Sequence, residues 1–403
     1  MRLVVIAPEF PPAVGGMEVH AARLVQALAA DHQLEVVVPA DRGVPKMDGV
    51  RFHADLLPRF GATLRRTAAL VSRLAPDAVL ALNAGSAGIA RVVTVPVVTR
   101  VVGNDFERAW IGPHLPGRFL WWRLPVSGGL APGRWLRRAD QAYRNRAALR
   151  SLAACRIVLA NSGWTRDALA RRGVTGPEVR VLVGGVDLDR FRPRDRDAER
   201  TALGLPGAPI LFSAARLTGK KGFDVLLRAL PGVLSAHPDL LLLLAGKGEE
   251  ETSLRDLAKR LGIEKSVRFL GGVGHDRLPQ YMAAADLYLQ PSRASRDQRD
   301  ESVDVETMGR AVCEAAACGR PAIVSRHGGL PDVVDDGQTG LLVPEADAPA
   351  LAAAITRLVG DAALRARMGV AAAERARREF GWDTVARRTE AALQDARASR
   401  RSS

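Results

Sequence analysis

Glu306 and Glu314 are the two acids whose spacing invites a chemical reading. Seven residues separate them in VDVETMGRAVCEAAACGRPAIVSRHGG, and Gly309 lies between. A helix predicted from about Arg310 to Cys318, ended by Gly319 and Pro321, leaves Glu306 on the loop before it and Glu314 one turn inside. Both carboxylates can then face one ligand, while the N–H groups from Gly309 through Arg310 to Ala311 point at its phosphates. Two glutamates on an exposed helix are ordinarily just solvated charges. Glu314, however, is embedded in VCEAAAC, where an unpaired carboxylate is costly, and a hydroxyl-rich partner accounts for it.

Arg216 and Lys221, in FSAARLTGKKGFDVLLRAL, are five residues apart on a predicted strand-to-helix loop. Such a pair can clamp a diphosphate, arginine by its planar fork and lysine as a point charge. The plain alternative is a solvated basic loop. A third feature is Gly15-Gly16 in PPAVGGMEVHAARLVQAL, between the first strand and a helix whose apolar side includes Val19, Leu24, Val25 and Leu28. Glycines there let backbone N–H groups approach an anion, although a strand-to-helix turn calls for glycine in any case.

Parallel strands of an α/β protein would position all three features. Short β-branched runs alternate with helical stretches at Leu3–Ala7, Glu35–Pro39, Ala78–Asn83, Pro96–Val101, Ile157–Ala160 and Val179–Val183. That is one doubly wound domain, predicted over residues 1–190. The Asp-, Arg- and Pro-rich segment Asp187–Pro209 reads as a linker. A second series follows at Ile210–Ala214, Leu240–Ala245, Val267–Leu270, Ala285–Gln290, Ala322–Ser325 and Gly340–Val343, giving a second domain over 205–375. Helix then continues through Leu351, Ile355, Leu358 and Val385, and residues 396–403 read as a disordered basic tail. Paired Rossmann-like domains bind ligands at the carboxyl ends of their strands, in the cleft between them.

Composition narrows the class. The chain has 403 residues, 47% hydrophobic and 25% charged, as in soluble globular proteins. Its three cysteines are too scattered for a disulfide framework or a zinc site, so a reducing, cytoplasmic setting is expected. The run after Met1 is too short for a signal peptide, and no apolar run approaches the ~20 residues that cross a bilayer. Net charge of +14 favours phosphate-rich partners, namely nucleic acid, anionic lipid or nucleotide substrates, and equally follows from biased genome composition.

Six ordered blocks carry a resemblance over nearly the whole chain: GGMEVH, GVDLDRF, ARLTGKKGFDVLLRAL, LLLLAGKGEEETSLRDLA, VRFLGGVGHDRLPQYMAAADLYLQPS and ETMGRAVCEAAACGRPAIVSRHGGLPDVVDDGQTGLLVP. The chain resembles glycosyltransferase family 4. The resemblance implies the GT-B fold, two facing Rossmann-like doubly wound domains, the first binding acceptor and completed by a C-terminal helix at 380–395. It also implies transfer of a hexosyl unit from a UDP-, GDP- or dTDP-sugar with retention and without metal or cofactor. Arg216 and Lys221 would hold the donor diphosphate and Glu306 the sugar. Glu314 would take the ribose hydroxyls. Gly15 and Gly16 would line the phosphates, and Val273 and His275 would flank the base. Cell-envelope glycan, lipopolysaccharide or glycolipid synthesis is the implied setting, with a glycan or lipid-linked acceptor. A small-metabolite acceptor and a sugar-nucleotide epimerase are the alternatives.

The chain departs from family pattern at three places. Val102 precedes Gly103 where many relatives carry histidine, leaving Asn104 or Asp105, with His20, as acceptor-side candidates; Gly184 replaces the hinge asparagine; and Thr307-Met308 replaces Gly-Phe. The charged run Arg293–Asp304 reads as a lid or as a solvated loop. Trp110, Trp121, Trp122 and Trp135, among Arg118, Arg123, Arg134, Arg137 and Arg138, suit an anionic membrane surface, an acceptor pocket or a core insertion. Peripheral attachment to the inner membrane face is therefore an expectation. Nucleic acid is not expected as a partner, because the cations sit at strand ends beside paired acids.

Overall fold

In a computed structural model of the chain, residues 1–11, 16–39, 43–56, 60–103, 106, 132–296 and 303–399 are described. They form two units, Met1–Leu182 with Val385–Ser403, and Val183–Thr384.

The elements of unit 1 are β1 (Arg2–Ile6), α1 (Gly16–Leu28), β2 (Gln33–Pro39), β3 (Val50–Leu56), α2 (Phe60–Leu74), β4 (Ala78–Ala81), β5 (Val97–Val101), α3 (Pro132–Ala153), β6 (Ile157–Ala160), α4 (Gly163–Arg171) and β7 (Glu178–Val181). The strands are parallel and ordered β3-β2-β1-β4-β5-β6-β7. Order reverses beside β1, as in doubly wound sheets, because crossovers to the left and right of β1 place helices on opposite faces. Strand β3 is absent from the sequence reading. It is the edge strand, and its polar residues are explained by Glu35 of β2, which bonds Arg51 at 3.1 Å and His53 at 2.7 Å. Val19 corrects the expected apolar side of α1, being 41% exposed, whereas Leu24, Val25 and Leu28 are buried.

Unit 2 contains α5 (Arg196–Ala202), β8 (Ile210–Ala214), α6 (Phe223–Ala236), β9 (Leu241–Ala245), α7 (Glu251–Arg260), β10 (Val267–Gly271), α8 (Leu278–Ala284), β11 (Leu287–Gln290), β12 (Ser295–Arg296), β13 (Val303–Asp304), α9 (Arg310–Ala317), β14 (Ala322–Ser325), β15 (Gly340–Val343), α10 (Ala348–Gly360) and α11 (Ala362–Arg375). Its main sheet is parallel, ordered β10-β9-β8-β11-β14-β15. Residues of β8 alternate between two apolar clusters, Leu211 entering one and Ile210 and Phe212 the other, so both faces are covered.

Three segments depart from expectation. Asp187–Pro209, read as a linker, contains α5, which Asp195 caps by accepting the Ala198 N–H at 2.8 Å. Its Arg200 donates to Asp286 Oδ2 at 2.7 Å, anchoring the segment inside unit 2. The described ends of the charged run before Glu306 pair antiparallel, Ser295 opposite Asp304 and Arg296 opposite Val303, and its middle lies outside the described residues. At the C-terminus α12 (Trp382–Ala398) continues through the start of the expected tail; Ala396 is 1% exposed and Ser399 Oγ accepts from Arg156 at 2.7 Å. Among the described residues no helix is long and apolar enough to cross a membrane.

Candidate functional site

Past β8 the chain runs through Arg216 into a tight turn, Gly219–Lys221, and Gly222 then starts α6 with φ 66°. A Cβ at 222 would collide with the carbonyl oxygen of Pro291, just beyond β11. The absent side chain therefore lets the cation loop press on the end of β11, which fixes where Lys221 emerges. Lys221 Nζ donates to Glu306 Oε2 in a short, largely buried ion pair, and Lys220 Nζ lies 3.0 Å from Asp304 Oδ1. Burial works against ionisation of Glu306, but the ammonium groups of Lys221 and then Lys220 outweigh it and hold the carboxyl below the usual glutamate range.

Glu306 is fixed from behind as well. Its N–H donates to His327 Nε2 at 3.5 Å, and His327 Nδ1 is 2.9 Å from Glu345 Oε2, so the Nδ1–H tautomer satisfies both contacts. Its carbonyl accepts the Gly329 N–H at 2.9 Å. Gly328, at φ 55°, leaves room for that carbonyl, which a Cβ would strike.

Helix α9 begins at Gly309, φ 92°, with no side-chain cap. A Cβ there would come within 2.6 Å of Leu330 Cδ2. Only glycine, three residues after Glu306, starts the helix so close to Leu330. Arg310 and Ala311 form its first turn. Glu314, 6% exposed, sees the Arg310 Nε at 3.8 Å. Burial pushes its pKa up to about 7, and Arg310 offsets this only in part. The buried Tyr288 hydroxyl, which donates to Ala214 O at 3.1 Å, is held protonated by its burial and then by the charges of both Glu314 and Glu306.

Arg216 is exposed and forms no ion pair among the described residues. Val273 and His275 occupy the loop after a different strand, β10; Val273 packs on an apolar cluster, and the His275 ring lies 5.3 Å from Phe191. In unit 1, Gly16 opens α1 and His20 is buried on it. Gly15, Asn104 and Asp105 lie outside the described residues, as do Trp110, Trp121, Trp122, Arg118 and Arg123; so do the side chains of Arg134, Trp135, Arg137 and Arg138. Sequence reasoning missed Lys220, His327, Glu345 and Gln290. Gln290, at the end of β11, is buried with Oε1 unpartnered, beside Gly309. A polar residue closing a buried strand before Pro-Ser was the available signal for it; His327 and Glu345 gave none, since their meeting depends on β14 pairing with β15.

Residues 195–375 match the family Glycosyl transferases group 1, and residues 14–190 match Glycosyltransferase Family 4. A GDP-mannose-dependent alpha-(1-6)-phosphatidylinositol monomannoside mannosyltransferase of Mycolicibacterium smegmatis is 30% identical over 398 residues, 95% of each chain. The chain is a family 4 glycosyltransferase. This glycosyltransferase is also 35% identical over 320 residues to a D-inositol 3-phosphate glycosyltransferase of Streptomyces avermitilis, spanning 70% of the chain and 66% of the relative. Sucrose-phosphate synthase from Thermosynechococcus elongatus shares its fold, with a TM-score of 0.72 at 23% identity over 99% of both chains. The glycosyltransferase has the GT-B fold, and the lysine, the acids and the uncapped helix start described above all belong to its second unit.

Proposed function

We propose that this enzyme transfers mannose from GDP-mannose to a hydroxyl of a phosphoinositol acceptor during cell-envelope glycolipid synthesis, with retention and without metal. The observation that carries the reading is the Lys221–Glu306 pair beside the uncapped start of α9. The donor diphosphate takes Lys221 from Glu306, and the exposed Arg216 supplies a second cation. Released, Glu306 accepts a hydroxyl of the sugar, while Glu314 accepts the ribose hydroxyls. Negative charge growing on the departing phosphate oxygen is met by both cations and the α9 N–H groups, the task a metal performs in other transferases. The acceptor hydroxyl attacks the anomeric carbon from the face the phosphate leaves, and its proton passes to that phosphate. His20, Asn104 and Asp105 remain the acceptor-side candidates of unit 1.

The donor and acceptor are taken from the Mycolicibacterium relative. Similarity to the inositol 3-phosphate enzyme favours a second acceptor, the free phosphorylated inositol. On a lipid acceptor the enzyme works at the inner membrane face, to which its +14 charge is suited. The test supplies GDP-, UDP- and dTDP-sugars with phosphatidylinositol monomannoside in vesicles, or with inositol 3-phosphate, in EDTA. Mannosyl transfer from GDP-mannose with an α product by NMR is expected. Transfer from another donor alone, an inverted product, or abolition by EDTA would each overturn the corresponding part.

A further inference from the structure

Arg100 lies on β5, in the sheet of unit 1. Thr99 Oγ1 is 2.9 Å from Cys155 Sγ, and Val97 and Val101 join the apolar cluster on that side of the sheet. Strand alternation turns Val98 and Arg100 to the opposite face, where Leu159 is Arg100's neighbour on β6. Arg100 is 1% exposed, yet neither Nε nor Nη1 has a hydrogen-bond partner, and no described carboxylate pairs with it. Burial pulls its pKa down to about 9, which leaves it cationic at neutral pH.

An unpaired ion inside a fold is among the costliest arrangements a protein can hold. Arg200 shows how this chain treats a buried arginine with a structural task. It is 6% exposed and donates to Asp286 Oδ2, Ala284 O and Gly207 O. Arg100 has no such set. The buried polar residues that close the flanking strands are already committed: Asn83 Oδ1 accepts from Ser86, Asn161 Oδ1 from Thr165 Oγ1, and Ser162 Oγ from the Thr165 N–H. Val102, next on the same strand face, offers no polar atom. The carboxyl ends of parallel strands are where α/β sheets receive ligands, and a guanidinium there matches a planar or tetrahedral oxyanion with paired donors.

We propose that Arg100 receives an oxyanion, phosphate or carboxylate, carried by the substrate that unit 1 binds. The inference rests on the reading of this enzyme as one with a phosphorylated acceptor. It adds the residue that would recognise that group.

Thermal unfolding of the full chain tests it, with inorganic phosphate and acetate as probes. An R216A/K221A background removes the two cations assigned to the donor diphosphate. In that background phosphate should raise the midpoint by about 3 °C, and R100L should abolish the rise. R100K should keep part of it. A larger rise with acetate would assign a carboxylate instead. Without any probe, R100L should unfold about 5 °C higher, because a lone buried charge is gone. If R100L does not fold, R100M, which keeps the stem without the charge, replaces it. The proposal is overturned if neither anion shifts the midpoint, if the shift survives loss of the arginine, or if the charge-free variant unfolds lower. Mannosyl transfer by the unsubstituted enzyme is assayed separately, so its failure would refute the proposed donor and acceptor while the titration still decides on Arg100.

Discussion

The Lys221 ammonium bonds the Glu306 carboxylate across 85 positions of sequence. Under the proposed function, free enzyme thus stores the cation that would meet the diphosphate and the acid that would meet the sugar as one neutral pair. Lys221→Ala removes the counter-charge to the leaving group and should lower kcat about 10²–10³-fold. Glu306→Gln should also abolish transfer, yet bind nucleotide at least as tightly, since Lys221 no longer has a carboxylate competitor. Transfer rates beside calorimetric nucleotide titrations check both; weaker nucleotide binding by the glutamine variant would contradict the exchange of partners.

Glu314 should make stability and donor binding depend on pH in opposite directions. Its carboxyl titrates near 4.5 when unfolded and near 7 when folded, so the folded state prefers the protonated form. That preference is fully present below about pH 4.5 and is lost as pH rises through 7. Above it, the buried charge costs about 3 kcal/mol, which Glu314→Gln should recover at pH 8 but not at pH 4.5. Ribose hydroxyls favour the ionised acid, so nucleotide affinity should rise about tenfold from pH 6 to pH 8. Denaturant melts at the two pH values and calorimetry with proton counting read these effects. A flat pH profile for binding would remove the ribose role.

Gly328→Ala is predicted to act through Glu306 rather than through its own contacts. Its Cβ would strike the Glu306 carbonyl oxygen, and its φ of 55° is strained for alanine. A loss of about 1–3 kcal/mol of stability and a disproportionate fall in kcat should result. Chemical denaturation and steady-state kinetics measure the two losses, and full activity in a destabilised variant would uncouple the glycine from the acid.

His327→Ala should lower kcat by roughly tenfold and leave nucleotide affinity unchanged, because the imidazole holds the Glu306 backbone and touches no phosphate-binding group. Glu345→Gln, which still accepts from the Nδ1–H, should retain most activity. Parallel kinetics and nucleotide titrations decide; equal loss in both variants would point to a charge effect instead.

Much of this arrangement could be read from the chain alone, for physical reasons that also mark where reading stops. β8, β14 and β15 are buried on both faces and so stand out as apolar runs. β3 does not, because an edge strand tolerates Arg51 and His53 once Glu35 receives them. VCEAAAC betrayed the burial of Glu314, since the burial is local. The partnership of Lys221 with Glu306, and of Lys220 with Asp304, is a consequence of β8 lying beside β11, and no spacing along the chain encodes which lysine meets which acid. Arg200 made a helical anchor resemble a linker, because its partner Asp286 is distant in sequence.

Gly222 and Pro291 meet backbone to backbone, with no flexible side chain between them to absorb an error. A scaffold riveted in this way holds Lys221 and Glu306 at a fixed separation whatever becomes of the loops around them. Descendants of this chain are free to diversify in what they carry, and bound in how they grip it.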